Sequence, residues 1–247
     1  MKLTALGIDS KDFDRERYLA LWEDITTLEE WLWKPTRMSA SRKSLCESAS
    51  LLDKLVTMKI HSSYYRGLKF AKPSWADDLL GGRTSSKYPC ESWTPSLETA
   101  EEFVTKGSLR HAVRFIMARQ FSKNEIILDL GGLRNVMESL GKDLKEAEKR
   151  RELTIERPRE FKKFLGSVEE LKESIDALGE SEFLMHPMPY SPKDIHMVKI
   201  DSYFDGRIPS QMPILAGVLS QVSQEHSFDE LTGRWLHMKA GQIVRVE

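Results

Sequence analysis

Two glutamates, Glu180 and Glu182, stand at alternate positions in "ALGESEFLMHP" (residues 177–187), just before an apolar run. Alternate residues of a strand share a face, so as a strand this segment would project both carboxylates together. Close like charges resist joint ionisation unless cations or hydrogen bonds compensate them. A carboxylate pair of that kind is suited to acid–base work at one reacting centre. The pattern alone is weak, because 38 acidic residues in a chain of 247 give roughly six acid-x-acid triplets by chance. It gains meaning only from residues that could compensate and complete it.

Two other stretches supply such residues. "YYRGL" (residues 64–68) places Arg66 late in an apolar strand, where a guanidinium needs an anionic partner. Its planar fork suits a phosphate or a carboxylate, and Gly67 would let a ligand approach the backbone. Taken singly, Arg66 reads equally well as a structural arginine paired with an internal acid. "ESWTPSLETAEEF" (residues 91–103) sets Ser92 and Thr94 at i and i+2, so both hydroxyls share one face of a strand. Pro95 stops that strand, and Ser96 is placed to cap a helix whose buried side is expected to be Ala100 and Phe103. Alone, this is a capped strand-to-helix turn.

An arginine followed by glycine after two aromatics, S-x-T leading into A-x-x-F, and E-x-E before aliphatics and proline, in this order, resemble the ADP-ribosyltransferases of the arginine–serine–glutamate class. The resemblance spans about residues 61–205 and is nearest to the phage and bacterial members. It implies an α+β fold with a split β-sandwich core, and NAD⁺ as substrate with no metal. Arg66 would hold a phosphate of NAD⁺, and the Gly67 backbone would meet the nicotinamide amide. Ser92 and Thr94 would support the strand, with Ser92 orienting the catalytic glutamate or the nicotinamide ribose. Glu182 would take the ribose 2′-hydroxyl and stabilise the oxocarbenium-like charge as nicotinamide leaves, as in glycoside hydrolysis. Glu180 would orient or deprotonate the nucleophile, which in this class goes with arginine acceptors. Two alternatives keep the same residues: an NAD⁺ glycohydrolase, and an inactive binding module on the same fold. The segment before E-x-E, about 165–179, lacks the turn aromatic of the familiar pattern, which leaves the acceptor open.

The elements that must position these residues follow from periodicity. Tyr18, Leu21, Trp22, Ile25, Leu28 and Leu32 recur at helical spacing, as do Leu45, Leu52, Leu55 and Val56, giving an N-terminal helical region over 1–60. The core is expected over 61–205, with strands at "SSYYRGLKF", "HAVRFIMARQF", "NEIILDL" and "DIHMVKI". "KPSWADDLLGGRTSSKYPCE" reads as a long loop, and the glycines at 131 and 132 as the end of the strand "NEIILDL". Residues 134–176 carry interspersed charges of both signs and read as a solvated helical insertion broken near Pro158, with Leu165, Val168 and Leu171 docking its last piece. The C-terminal extension, 206–247, reads as a short helix, a loop and one closing strand packing on the core.

Bulk composition narrows the classes. A net charge of −1 gives no global basic excess, so a protein acceptor is favoured over a nucleic acid. Two cysteines argue against a disulfide scaffold or a cysteine zinc site. No phosphate-binding loop, dinucleotide fingerprint, nucleophile elbow or H-E-x-x-H motif is found. The sequence has no run of about 18 apolar residues and no secretory signal, so a cytoplasmic protein without membrane attachment is expected, in the host cytoplasm if phage-encoded.

Overall fold

A computed structural model describes residues 2–33, 42–82, 90–106, 113–153, 155–178, 182–201, 213–220 and 231–247. The chain is α+β. In chain order its described elements are β1 (Lys2–Leu3), β2 (Ile8–Asp9), α1 (Arg15–Trp33), α2 (Arg42–Asp53), β3 (Tyr64–Phe70), α3 (Pro73–Leu80), β4 (Glu91–Trp93), α4 (Leu97–Thr105) and β5 (Val113–Arg119). There follow β6 (Ile126–Asp129), α5 (Leu130–Lys149), α6 (Pro158–Leu178), β7 (Phe183–Met185), β8 (Ile195–Ile200), α7 (Pro213–Leu219), β9 (Trp235–Lys239) and β10 (Gln242–Val246). They fall into two units that interleave along the sequence: Met1–Ile60, Tyr88–Ser92 and Ser122–His186 make the first, and His61–Lys87, Trp93–Phe121 and Pro187–Glu247 the second.

The first unit is a helical assembly with a three-stranded sheet of order β4-β7-β6. Tyr18, Ile25 and Leu28 of α1 and Leu45, Ala49 and Leu52 of α2 are buried, as their spacing requires. The charged stretch beyond residue 130 is not a solvated appendage. Its helices α5 and α6 bury Leu133, Met137, Leu140 and Leu144, and Phe161, Phe164, Val168 and Leu171, in the same core as α1 and α2. The aromatic rings of Phe13, Tyr18, Phe161 and Phe164 meet there with centroids 5.6–6.3 Å apart. The charges occupy the opposite faces as ion pairs, Arg134 with Glu138 at 2.7 Å and with Asp176 at 2.6 Å among them. Mixed charge therefore marked the outer side of amphipathic helices whose inner side is apolar at a 3–4 residue spacing.

The paired glycines also differ from expectation. They are not the end of the strand, which stops at Asp129; they lie in the first turn of α5, which begins at Leu130 directly after β6. Asp129 caps it, its carboxylate accepting from the Gly132 N–H at 2.9 Å. A Cβ at Gly132 would stand 2.3 Å from Val56 Cγ1, so glycine here admits the chain that follows α2.

The second unit is built on a five-stranded sheet of order β10-β9-β8-β5-β3, antiparallel at each of its pairings. The C-terminal extension contributes two strands rather than one, turned through Ala240 (φ 51°) and Gly241 (φ 83°). The supposed loop after β3 contains α3, with Pro73 at its first turn, and it buries Pro73, Ala76, Asp77 and Leu80 at helical spacing. Glycine and proline flank this helix instead of excluding it. The Asp77 carboxylate accepts from the Ile214 N–H at 2.9 Å, which ties α7 to α3. No helix among the described residues is long and apolar enough to cross a membrane.

Candidate functional site

In the second unit the site is organised by one edge of β3. Tyr65 and Gly67 face α4: Tyr65 packs on the cluster of Ala100, Val104, Ile116 and Met197, and a Cβ at Gly67 would lie 2.7 Å from the Ala100 carbonyl and 2.8 Å from Val104 Cγ1. Alternation then turns Arg66 to the other face, alongside Tyr64, whose ring meets those of His61 and Phe121. Arg66 is half-buried. Gly67 is thus required first by the helix that covers it, in addition to any ligand.

The edge itself is half used. Tyr65 donates its N–H to the Thr94 carbonyl at 2.6 Å, and Thr94 returns a bond to the Tyr65 carbonyl at 2.9 Å. In an antiparallel ladder such a residue spends both backbone groups on one side, and the next residue to do so is two positions on. That residue is Gly67. Beyond Thr94 comes Pro95, which has no N–H to give, and among the described residues no strand pairs with β3 on this edge past the Tyr65–Thr94 bridge. The Gly67 N–H and C=O therefore point away from β5, a donor and an acceptor side by side on a buried residue that no described strand pairs with on that edge.

Phe103 stands beside them and departs from the reading that buried it. It is 59% exposed, whereas Val104 is 1% exposed and fills the inward place on α4. A Cβ at Gly67 would be 3.0 Å from Phe103 Cδ1, so the ring borders this backbone pair. Lys69 Nζ lies 4.7 Å above the same ring. The A-x-x-F spacing located this helix correctly but could not say which of two adjacent residues turns inward.

Thr94 is buried, and its hydroxyl accepts from the Ser96 N–H at 3.1 Å. Ser96 caps α4 as expected, accepting from the Thr99 N–H at 3.2 Å. Trp93, between the two hydroxyl residues, is held by a group the sequence did not single out. Its ring lies 4.9 Å from Phe121 and 6.2 Å, stacked, from Tyr190. The Arg119 guanidinium sits over both the Trp93 and Tyr190 rings, and pairs with Asp194 at 2.6 Å. Burial pushes the Asp194 carboxyl up, but Arg119 and the N–H and hydroxyl of Ser191 outweigh it and leave it below its ordinary value of 3.8. A depressed carboxyl stabilises the fold fully above that value and loses its contribution as pH falls through the folded one. Asp194→Asn is expected to cost about 1.5–3 kcal/mol at neutral pH, and in urea unfolding the deficit should begin to shrink as pH falls through 3.8 and disappear only below the lower folded value.

In the first unit, Ser92 lies on β4 and Glu182 immediately precedes β7, which neighbours β4 in the three-stranded sheet. Both are half-buried. The Glu182 carbonyl accepts from the Leu130 N–H at 2.9 Å, so its backbone is fixed by the junction of β6 and α5. Glu180 lies outside the described residues. The structure thus groups Arg66, Gly67 and Thr94 at one strand edge of the second unit, and sets Ser92 and Glu182 on neighbouring strands of the first. Glu91, 2% exposed beside Ser92, is a buried acid that the sequence reading passed over, since nothing in its type or spacing marks it. Among the described residues no group of three or more histidine, cysteine, aspartate or glutamate side chains is placed to hold a metal ion.

Comparison with protein-family models, with curated proteins and with solved structures finds no match for this chain.

Proposed function

We propose that this protein is a mono-ADP-ribosyltransferase that cleaves NAD⁺ at the nicotinamide–ribose bond and passes ADP-ribose to a protein acceptor, arginine being the side chain that Glu180 suits. The observation that carries the reading is the Gly67 backbone pair, which no described strand takes up, beside exposed Phe103. A primary carboxamide on a flat ring presents one acceptor and two donors. It can therefore exchange two hydrogen bonds with a strand edge as a neighbouring strand would, while Phe103 offers an apolar face for the ring. The α+β character and the antiparallel strand pairings support the reading.

The chemistry follows from charge. As the C1′–N bond breaks, nicotinamide leaves with the electron pair and positive charge grows on the ribose. Glu182, whose carbonyl is held by the Leu130 N–H, carries the compensating negative charge and holds the 2′-hydroxyl. Ser92 keeps that carboxylate oriented, and Arg66 binds a phosphate of the ADP-ribosyl group being transferred. The acceptor nitrogen then bonds to C1′ and gives its proton to Glu180.

Incubation with labelled NAD⁺ and cell lysate tests this reading. Label covalently on protein, released by reagents that cleave ADP-ribosyl-arginine, is the expected result. Free ADP-ribose without labelled protein would make the protein a glycohydrolase, and an absence of turnover would leave a binding module.

A further inference from the structure

The N-terminal helical region has a cavity of about 240 Å³ between the β1–β2 turn, α1 and the end of α2. Its middle is apolar, lined by Phe13, Leu21, Leu51 and Leu52, and its two charged residues are Arg17 and Asp24. Arg17, Leu21 and Asp24 are at i, i+4 and i+7 of α1 and share one face. Seven residues of helix separate the two charges by roughly 10 Å along the axis.

The ends differ in kind. Arg17 is exposed and its Nη1 is anchored on the Asp12 carbonyl at 2.7 Å, leaving further N–H donors at the rim. Asp24 is half-buried, and among the described residues no cation pairs with it. Burial pushes its carboxyl up against a hydrogen bond from Ser48, and Glu23 adds to the rise. A carboxylate in an apolar recess, with no counter-charge among the described residues, is complementary to a cation that brings its own apolar stem.

We propose that this cleft binds a linear zwitterion: an aliphatic chain lying on Phe13, Leu21, Leu51 and Leu52, with an ammonium at Asp24 and a carboxylate at Arg17. Such chemistry comes either as a free ω-amino acid or as the C-terminal lysine of a partner chain. The site belongs to α1 and α2 and is independent of the NAD⁺ reading.

Calorimetric titration of the full chain with 8-aminooctanoate, octylamine and octanoate tests it. The zwitterion should bind about tenfold or more tighter than either single-ended compound, as expected when each charged contact contributes separately. Asp24→Asn should lose about tenfold for the zwitterion and for octylamine and leave octanoate unchanged. Arg17→Gln should erase the preference for the zwitterion over octylamine. Unchanged melting temperatures identify these as site effects. A short peptide ending in lysine binding tighter than free 8-aminooctanoate would assign the ligand to a partner chain, and the reverse to a small molecule. Octanoate binding as tightly as the zwitterion, an unaltered affinity in Asp24→Asn, or no binding of any of these probes would overturn the proposal.

Discussion

Glu182→Gln is expected to lower NAD⁺ cleavage about a hundredfold or more while leaving the melting temperature near that of the wild type. Glutamine keeps the volume and removes the charge that would stabilise the positive ribose in the transition state. The half-buried side chain belongs to a residue whose carbonyl is held by the Leu130 N–H, and that bond does not involve the carboxylate. Steady-state release of nicotinamide reads the effect, which should appear in kcat rather than in KM. Glu180→Ala should behave differently: nicotinamide release persists, and labelled protein is lost. Retention of full activity in Glu182→Gln would remove this residue from the reaction, and equal behaviour of the two variants would remove the division of labour between them.

Gly67→Ala is the second large effect, and it discriminates two reasons for the glycine. Were Gly67 there only to admit a ligand, alanine would weaken binding and spare the fold. The added Cβ would instead meet the Ala100 carbonyl at 2.7 Å and Val104 Cγ1 at 2.8 Å, and a backbone oxygen cannot swing aside. The expected cost is about 1–3 kcal/mol, or a fall of roughly 2–4 °C in melting temperature for each kcal/mol at this chain length. Because α4 also carries Phe103, its displacement should raise the KM for NAD⁺ as well. A stable Gly67→Ala protein with ordinary kinetics would contradict both the packing and the proposed use of the β3 edge.

Much of the architecture was legible beforehand because it is local. The helices around Tyr18 and Leu45 follow from a period of about 3.6, which fixes element type and inward face together, and the strands around Tyr64, Val113, Ile126 and Ile195 from short apolar or alternating runs, although β5 and β6 turn out buried on both faces. Leu165, Val168 and Leu171 were placed on a docking face by the same rule and are buried. The Ser96 cap and the turn at Pro95 were readable because their partners lie within a few residues.

What failed was decided by partners distant in sequence. "GG" and "KPSW" signal breaks locally, yet Asp129 caps a helix through the first, and the buried faces of Pro73, Ala76 and Leu80 make a helix of the second. The choice between Phe103 and Val104 as the inward residue depends on where β3 lies beneath α4, and no spacing within the helix contains that information. By itself the sequence determined the chemical types at Arg66, Ser92, Thr94, Glu180 and Glu182, and the elements carrying those that the structure describes. Only the tertiary structure decided that the Gly67 face is filled by α4 while, among the described residues, no strand pairs with its backbone edge. A strand's two faces and two edges are settled by the elements that pack or pair there, and those contacts are long-range.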